Sequence, residues 1–237
     1  MTENAEARVD LADMVVRASE REGLLAFQQR RKASSRERLL AAAASTFIAK
    51  GYFGVSVEDI ASTASVSRMT FYRHFSGKAE IAAALFDQTS HQHMPQLLAI
   101  GRRDFSNPEI VTAWLAEIFA TNRERRQFLK VYNEANVAAA GFSEQGHAFI
   151  RELISELGER IPAFALDPDA EADRPRWLEA WLLLYEILDQ SNHAARESGV
   201  ATDPLIIGIL AKRVVAFIAD RPRASEIPKR NFDQKLT

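Results

Sequence analysis

The sequence predicts an all-α fold, on three grounds. Ten Gly and eight Pro in 237 residues are too few for the many tight turns of a sandwich or barrel. Alternating β-branched runs of useful length do not occur. Apolar residues recur instead at i, i+3, i+4 and i+7, the period of amphipathic helices. A 47% hydrophobic share at this length supports one large domain or two small ones, and sets disorder, collagen and coiled coil aside.

Residues 1–27 carry Leu11, Met14, Val15, Ala18 and Leu25 on one helical face, though their mixed charge fits a frayed extension equally well. Ser34-Ser35-Arg36-Glu37 has capping-box spacing and predicts a helix to about Lys50, ended by Gly51, with Leu39, Leu40, Ala43, Phe47 and Ile48 on its apolar side. Ser56-Val57-Glu58-Asp59 caps a short helix to about Ala64, and Ser67 opens another to about His74. Ser76-Gly77-Lys78 starts a fourth, expected to stop shortly before Pro95. Asn107-Pro108 pairs a cap with proline at the first helical position, followed by Val111, Trp114, Leu115, Ile118 and Phe119. Helices are further expected over 123–140 and 144–158, with an acidic, proline-bearing loop at 166–175. A helix from Pro175 to Ser198, stopped by Gly199, is apolar on two stripes: Trp177, Trp181, Leu184 and Leu188, and Leu178, Leu182 and Tyr185. The last helix begins at Asp203-Pro204, and residues 221–237 read as a flexible tail.

Charge is unevenly spread. Between Gln28 and Lys78, nine Lys or Arg face three acids, whereas the whole chain has a net charge of −2. A basic module on an acidic body suggests that one part meets a polyanion; a solvated basic face is the alternative. Zero cysteines exclude disulfides, thiolate metal sites and cysteine nucleophiles. The longest apolar stretches are interrupted by Glu179 and Glu186 or by Lys212 and Arg213, so no membrane span is expected. With Glu3, Glu6 and Asp10, the N-terminal stretch lacks a secretory profile, and the expected location is cytoplasmic. The spacing of His91 and His93 puts their imidazoles about 200° apart on a helix, wrong for one metal. There is also no Gly-rich phosphate loop, Gly-x-Ser-x-Gly elbow or His-Glu-x-x-His. The expectation is therefore a non-enzyme with no cofactor and no metal.

Two short helices joined by a tight turn inside the basic segment outline a helix-turn-helix, whose second helix enters the major groove. The run GYFGVSVEDIASTASVSRMTFYRHFSGKAEI resembles the DNA-binding domain of the TetR (tetracycline repressor-like) family of transcriptional regulators. Gly51, Val57, Ile60, Ala61, Val66, Ser67, Tyr72, Phe75 and Lys78 fall on its pattern. Where the family usually has a turn glycine, this chain has Ser65, strained by about 1 kcal/mol if that position needs a positive φ. The resemblance covers residues 34–81.

Ser67 caps the expected recognition helix, and Arg68, Met69 and Thr70 form its first turn. Arg68 can pair with guanine, while Met69 and the Thr70 methyl can touch thymine; a phosphate contact or solvation is the alternative for Arg68. Tyr72 and His74 are placed for phosphates, as the resemblance also implies. Lys78, at a helix start, adds charge where free amides already favour an anion. Ser35, Arg36 and Ser56 are similar candidates, and Arg30, Arg31 and Lys32 are either a minor-groove arm or a solvated run. Phe71 and Phe75 read as core.

The expected division is an extension over 1–33, a three-helix DNA-binding domain over 34–81, a larger helical ligand-binding and dimerisation domain over 82–220, and the tail. The resemblance implies a homodimer joined by the last two helices, a small-molecule pocket inside the body, and double-stranded operator DNA as partner. The sequence itself favours the dimer, because helices 175–198 and 203–219 carry more apolar surface than one monomer easily covers, with Ala180, Gly208 and Ala211 allowing close approach. Trp114, Phe119, Phe128, Tyr132, Trp181 and Tyr185 could line the pocket or simply form core. Asn133, Asn136, Glu186, Asp189, Gln190 and His193 could orient an effector, or face solvent or the dimer partner. The resulting expectation is a ligand-responsive regulator, a repressor released by a small apolar or aromatic effector. A regulator of the same shape without a ligand is the alternative.

Overall fold

The computed structural model describes residues 33–138, 142–197 and 199–220, all of whose regular structure is helical. It forms two compact units that part between Leu85 and Phe86. The expected helix over 1–27, the basic arm at 30–32 and the tail over 221–237 lie outside the described residues.

In the first unit, α1 covers residues 33–50, α2 Val57–Thr63 and α3 Arg68–His74, and α4 Lys78–Leu98 begins. Helix α1 is already formed at residue 33, so Ser34 lies within it rather than at its cap. Ala33, of the strongest helix-forming type, extends the first turn. The helix ends where Gly51 adopts φ 73° and its amide returns to the Phe47 carbonyl at 2.8 Å. Leu39, Ala43, Phe47, Ile60, Phe71, Phe75 and Ile81 are all buried, whereas Ile48 is half exposed. Gly54 is required by close approach: a β-carbon there would lie 2.5 Å from the Lys50 carbonyl oxygen.

Helix α4 runs through Pro95 to Leu98 and continues as a 3₁₀ turn to Arg102, correcting the expected stop before the proline. An internal proline costs about 3 kcal/mol. Burying Met94, Leu97 and Leu98 along the continued helix contributes about 1.5–3 kcal/mol for each side chain and outweighs that cost.

The second unit is built around α5 (Pro108–Glu124), which packs against α8 (Arg174–Ala195) and α9 (Leu205–Ala219). Helices α6 (Arg126–Ala138) and α7 (Phe142–Gly158) flank α8. Asn107 caps α5 by accepting the Glu109 amide at 2.9 Å, with Pro108 at the first position. Helix α5 reaches Glu124 and Arg125 is the break before α6, which starts at Arg126 rather than at 123. Helix α8 stops at Ala195, earlier than expected, because Glu197 turns left-handed at φ 55° before Gly199 does so at φ 64°. Arg176 ties the start of α8 to the end of α9: its guanidinium lies 3.8 Å from the Phe217 ring centroid and donates to the Phe217 and Asp220 carbonyls.

Candidate nucleic-acid interface and body cavity

The turn between α2 and α3 is held by backbone alone. The Ser65 amide donates to the Ser62 carbonyl at 3.0 Å and the Val66 amide to the Ala61 carbonyl at 3.0 Å, the paired bonds of a Schellman ending. That ending needs a left-handed residue, and Ser65 supplies it at φ 52°. At the start of α2, Ser56 and Asp59 form a reciprocal capping box, and the Lys50 ammonium joins the Asp59 carboxylate at 2.9 Å. The Ser56 hydroxyl first, then Lys50, holds the Asp59 carboxyl well below the usual carboxylate range.

Ser67 caps α3 through the Thr70 amide at 3.1 Å and lies 3.0 Å from the Thr70 hydroxyl. The first turn of α3 is presented outward: Met69 is 82% exposed and Tyr72 is 49% exposed. Arg68 pairs with Glu58 of α2 at 2.7 Å and lies 6.0 Å from the Tyr72 ring centroid. Arg73 is exposed on the same helix. Phe71 and Phe75 are buried. Ser35 is partly buried on α1, and Ser56 is occupied by its capping box. His74 is likewise partly buried.

Lys78 and Arg36 are placed differently from the other candidates. The Lys78 ammonium donates to the Tyr52 carbonyl at 2.8 Å and lies 4.3 Å from the Tyr52 ring centroid, so it braces the α1–α2 loop; partial burial lowers its pKa. Arg36 lies 5.3 Å from the Phe75 ring centroid.

The body holds a cavity of about 210 Å³ walled by α4, α5, α6, α7 and α8. Its aromatic faces are Phe86, Phe128, Tyr132, Phe149 and Tyr185; its polar groups include Gln96, Asn122, Asn133, Asn136, Asp189 and Asn192. Phe86 and Tyr132 stack with centroids 4.2 Å apart. Of the twelve residues expected to line the cavity or orient an effector, Phe128, Tyr132, Asn133, Asn136, Tyr185 and Asp189 reach the wall, and Glu186, Gln190 and His193 do not. Trp114 and Phe119 do not: both are buried in the core, the Trp114 indole donating to the Gln96 carbonyl at 3.2 Å. Trp181 stands behind the wall, stacked on Tyr185 at 5.1 Å. Asn122, Arg125 and His93 also line the wall; each stands among other polar residues, so nothing in the sequence marks it.

A family model described as bacterial regulatory proteins of the tetR family matches residues 39–85, which span α1 to the start of α4. Residues 39–85 belong to the tetR family. Solved structures agree on the fold beyond this tetR-family head. A TetR-family transcriptional regulator from Pectobacterium atrosepticum is 18% identical, with 80% of this chain and 91% of that chain covered and a TM-score of 0.51. Salmonella enterica GusR is 19% identical, with 78% and 95% covered and a TM-score of 0.50. A Mesorhizobium loti protein assigned to the same family is 20% identical, with 79% and 95% covered and a TM-score of 0.50. No curated protein matches the chain. The chain thus has the fold of a tetR-family transcriptional regulator, with a helix-turn-helix head and a helical body. Among the described residues no helix is long and apolar enough to cross a membrane, and no cluster of metal-ligating side chains occurs.

Proposed function

We propose that the protein is a ligand-responsive transcriptional regulator, a cytoplasmic repressor that binds a near-palindromic operator as a homodimer and leaves it when a small effector enters the body. The observation that carries this reading is a helix shared by two chemistries. Helix α4 starts in the tetR-family head at Lys78 and, further along, supplies Phe86, His93, Gln96 and Leu97 to the cavity wall. Residues 34–81 are assigned to DNA and 82–220 to effector and dimer. Arg68, Met69 and Thr70 read base edges; Ser35, Arg36, Ser56, Ser67, Tyr72, His74 and Lys78 serve the backbone. Lys78 would release Tyr52 to do so, since its ammonium is already engaged.

Dimerisation is supported by apolar side chains that the single chain leaves uncovered. Leu178, Leu182 and Tyr185 on α8, and Leu205 and Ile209 on α9, are all 44–69% exposed. Two copies joined there can present recognition helices about 34–36 Å apart to successive major-groove turns. An effector that shifts α4 would change that spacing; a coupling of about 1–3 kcal/mol weakens operator binding roughly 5- to 150-fold. Footprinting the purified protein on genomic DNA tests the reading. Paired half-sites one helical turn apart are expected; unpaired or unspecific protection would refute it.

A further inference from the structure

A guanidinium drawn out of water without an acceptor costs stability, and the cavity wall holds one. Arg125, the break between α5 and α6, lines the cavity with its guanidinium 5.3 Å from the Phe128 ring centroid. Among the described residues no side chain pairs with it and no acceptor meets it. Burial pulls its pKa to about 10, which still leaves it charged at neutral pH. The remaining ionisable groups of the wall do not pair with it. Asp189 stands in the same wall but forms no ion pair with Arg125; His193 Nδ1 meets the Asp189 carbonyl at 2.9 Å and lies 3.4 Å from its carboxylate. His93 is pushed down by burial first and by the Arg125 charge second, so it stays neutral. His147 packs its ring edge-on against Trp181 at 5.3 Å. The cavity therefore offers a guanidinium without an ion-pair partner beside flat aromatic walls.

We propose that the effector is an aromatic monocarboxylate whose carboxylate is held by Arg125 and whose rings lie against Phe86, Tyr132, Phe149 and Tyr185. This rests on the reading of the body as an effector domain and names the effector's class. A planar guanidinium matches a carboxylate through two parallel N–H bonds. A phosphate dianion fits worse, because a single cation answers two charges and Asp189 stands in the same wall. Size limits the rest. At about 210 Å³ the cavity exceeds the roughly 150 Å³ that takes up a benzene, which admits a fused ring pair.

The test compares 2-naphthoate with the uncharged 2-naphthamide and 2-naphthalenemethanol by calorimetry on the full chain, with Arg125→Met alongside. Naphthoate should bind at least ~10-fold more tightly than either neutral compound, the range of a charge-assisted pair. Arg125→Met should abolish that preference while melting no lower than the parent without ligand, because it removes an uncompensated charge. Equal affinity for charged and neutral rings, or an undiminished preference in Arg125→Met, would overturn the anionic class and leave the effector domain standing. If none of the three binds at millimolar concentration, the effector site itself is overturned together with its class.

Discussion

Replacing Ser65 with glycine should stabilise the protein. Ser65 is held at φ 52° by two backbone bonds from the turn, so its side chain cannot relax without breaking the Schellman ending. A left-handed non-glycine residue costs about 1–2 kcal/mol. Glycine removes that strain but loses about 0.5–1 kcal/mol more conformational freedom on folding. The net gain is about 0.5–1 kcal/mol, which for a chain of this size raises the melting temperature by roughly 1–4 °C. Ser65→Val should move the other way, since a β-branched side chain fits that region worst. Thermal unfolding followed by circular dichroism, with urea titration as a second measure, reads both. A Ser65→Gly protein that melts at or below the parent would refute the strain, and with it the account of how the turn forms without its glycine.

Five further outcomes are expected. Lys78→Met should lower head stability by about 1 kcal/mol in urea, because the Tyr52 carbonyl loses a charged donor that is only partly shielded from water. Glu58→Gln frees Arg68 from its 2.7 Å partner and removes a charge near the phosphates, so binding to a non-specific duplex should tighten; Arg68→Ala should instead relax preference at one base position, read by competition binding to single-base variants. Stability should fall in acid as Asp59 and Glu80 protonate. Both carboxyls are lowered in the folded state, Asp59 first by the Ser56 hydroxyl and Glu80 first by the Ser76 amide, so their contribution is complete above the ordinary carboxylate range and is lost as pH falls through their folded values. A pH series of urea midpoints checks this, and Asp59→Asn should flatten it. Leu182→Glu with Ile209→Glu, at positions 58% and 52% exposed in the single chain, should leave a monomer by light scattering.

What could be read from the residues was local and periodic. Ser56 and Asp59, Ser67, Asn107-Pro108 and Gly51 announce their caps because capping chemistry acts within four residues. Phe71 and Phe75, read as core, are buried, and Ser65 has the positive φ that was conditional on its standing where the resembled family usually has a turn glycine. The reading failed where distant packing decides. Pro95 sits inside a helix because Leu97 and Leu98 have a core to enter, which no local rule contains. Trp114 and Phe119 share helix α5 with the wall residues Ile118 and Asn122, but aromatic character does not say which face meets a void. Asn122 donates to the fully buried Ser191 at 2.7 Å across 69 residues of sequence, a pairing invisible until α5 meets α8. Lys78 could be placed at a helix start, yet its Tyr52 partner lies 26 residues back and changes its role.

The measurement that bears most directly on the central claim is the ratio of affinities for the footprinted site and a scrambled duplex of equal length and composition. Fluorescence anisotropy at physiological salt reads both, with salt held fixed because phosphate contacts dominate either binding event. The account predicts a ratio of at least ~10³, the lower range for specific recognition by a groove-reading dimer. A ratio near one, with both affinities falling together as salt rises, would mean that α3 reads no bases and that the protein is not an operator-binding regulator.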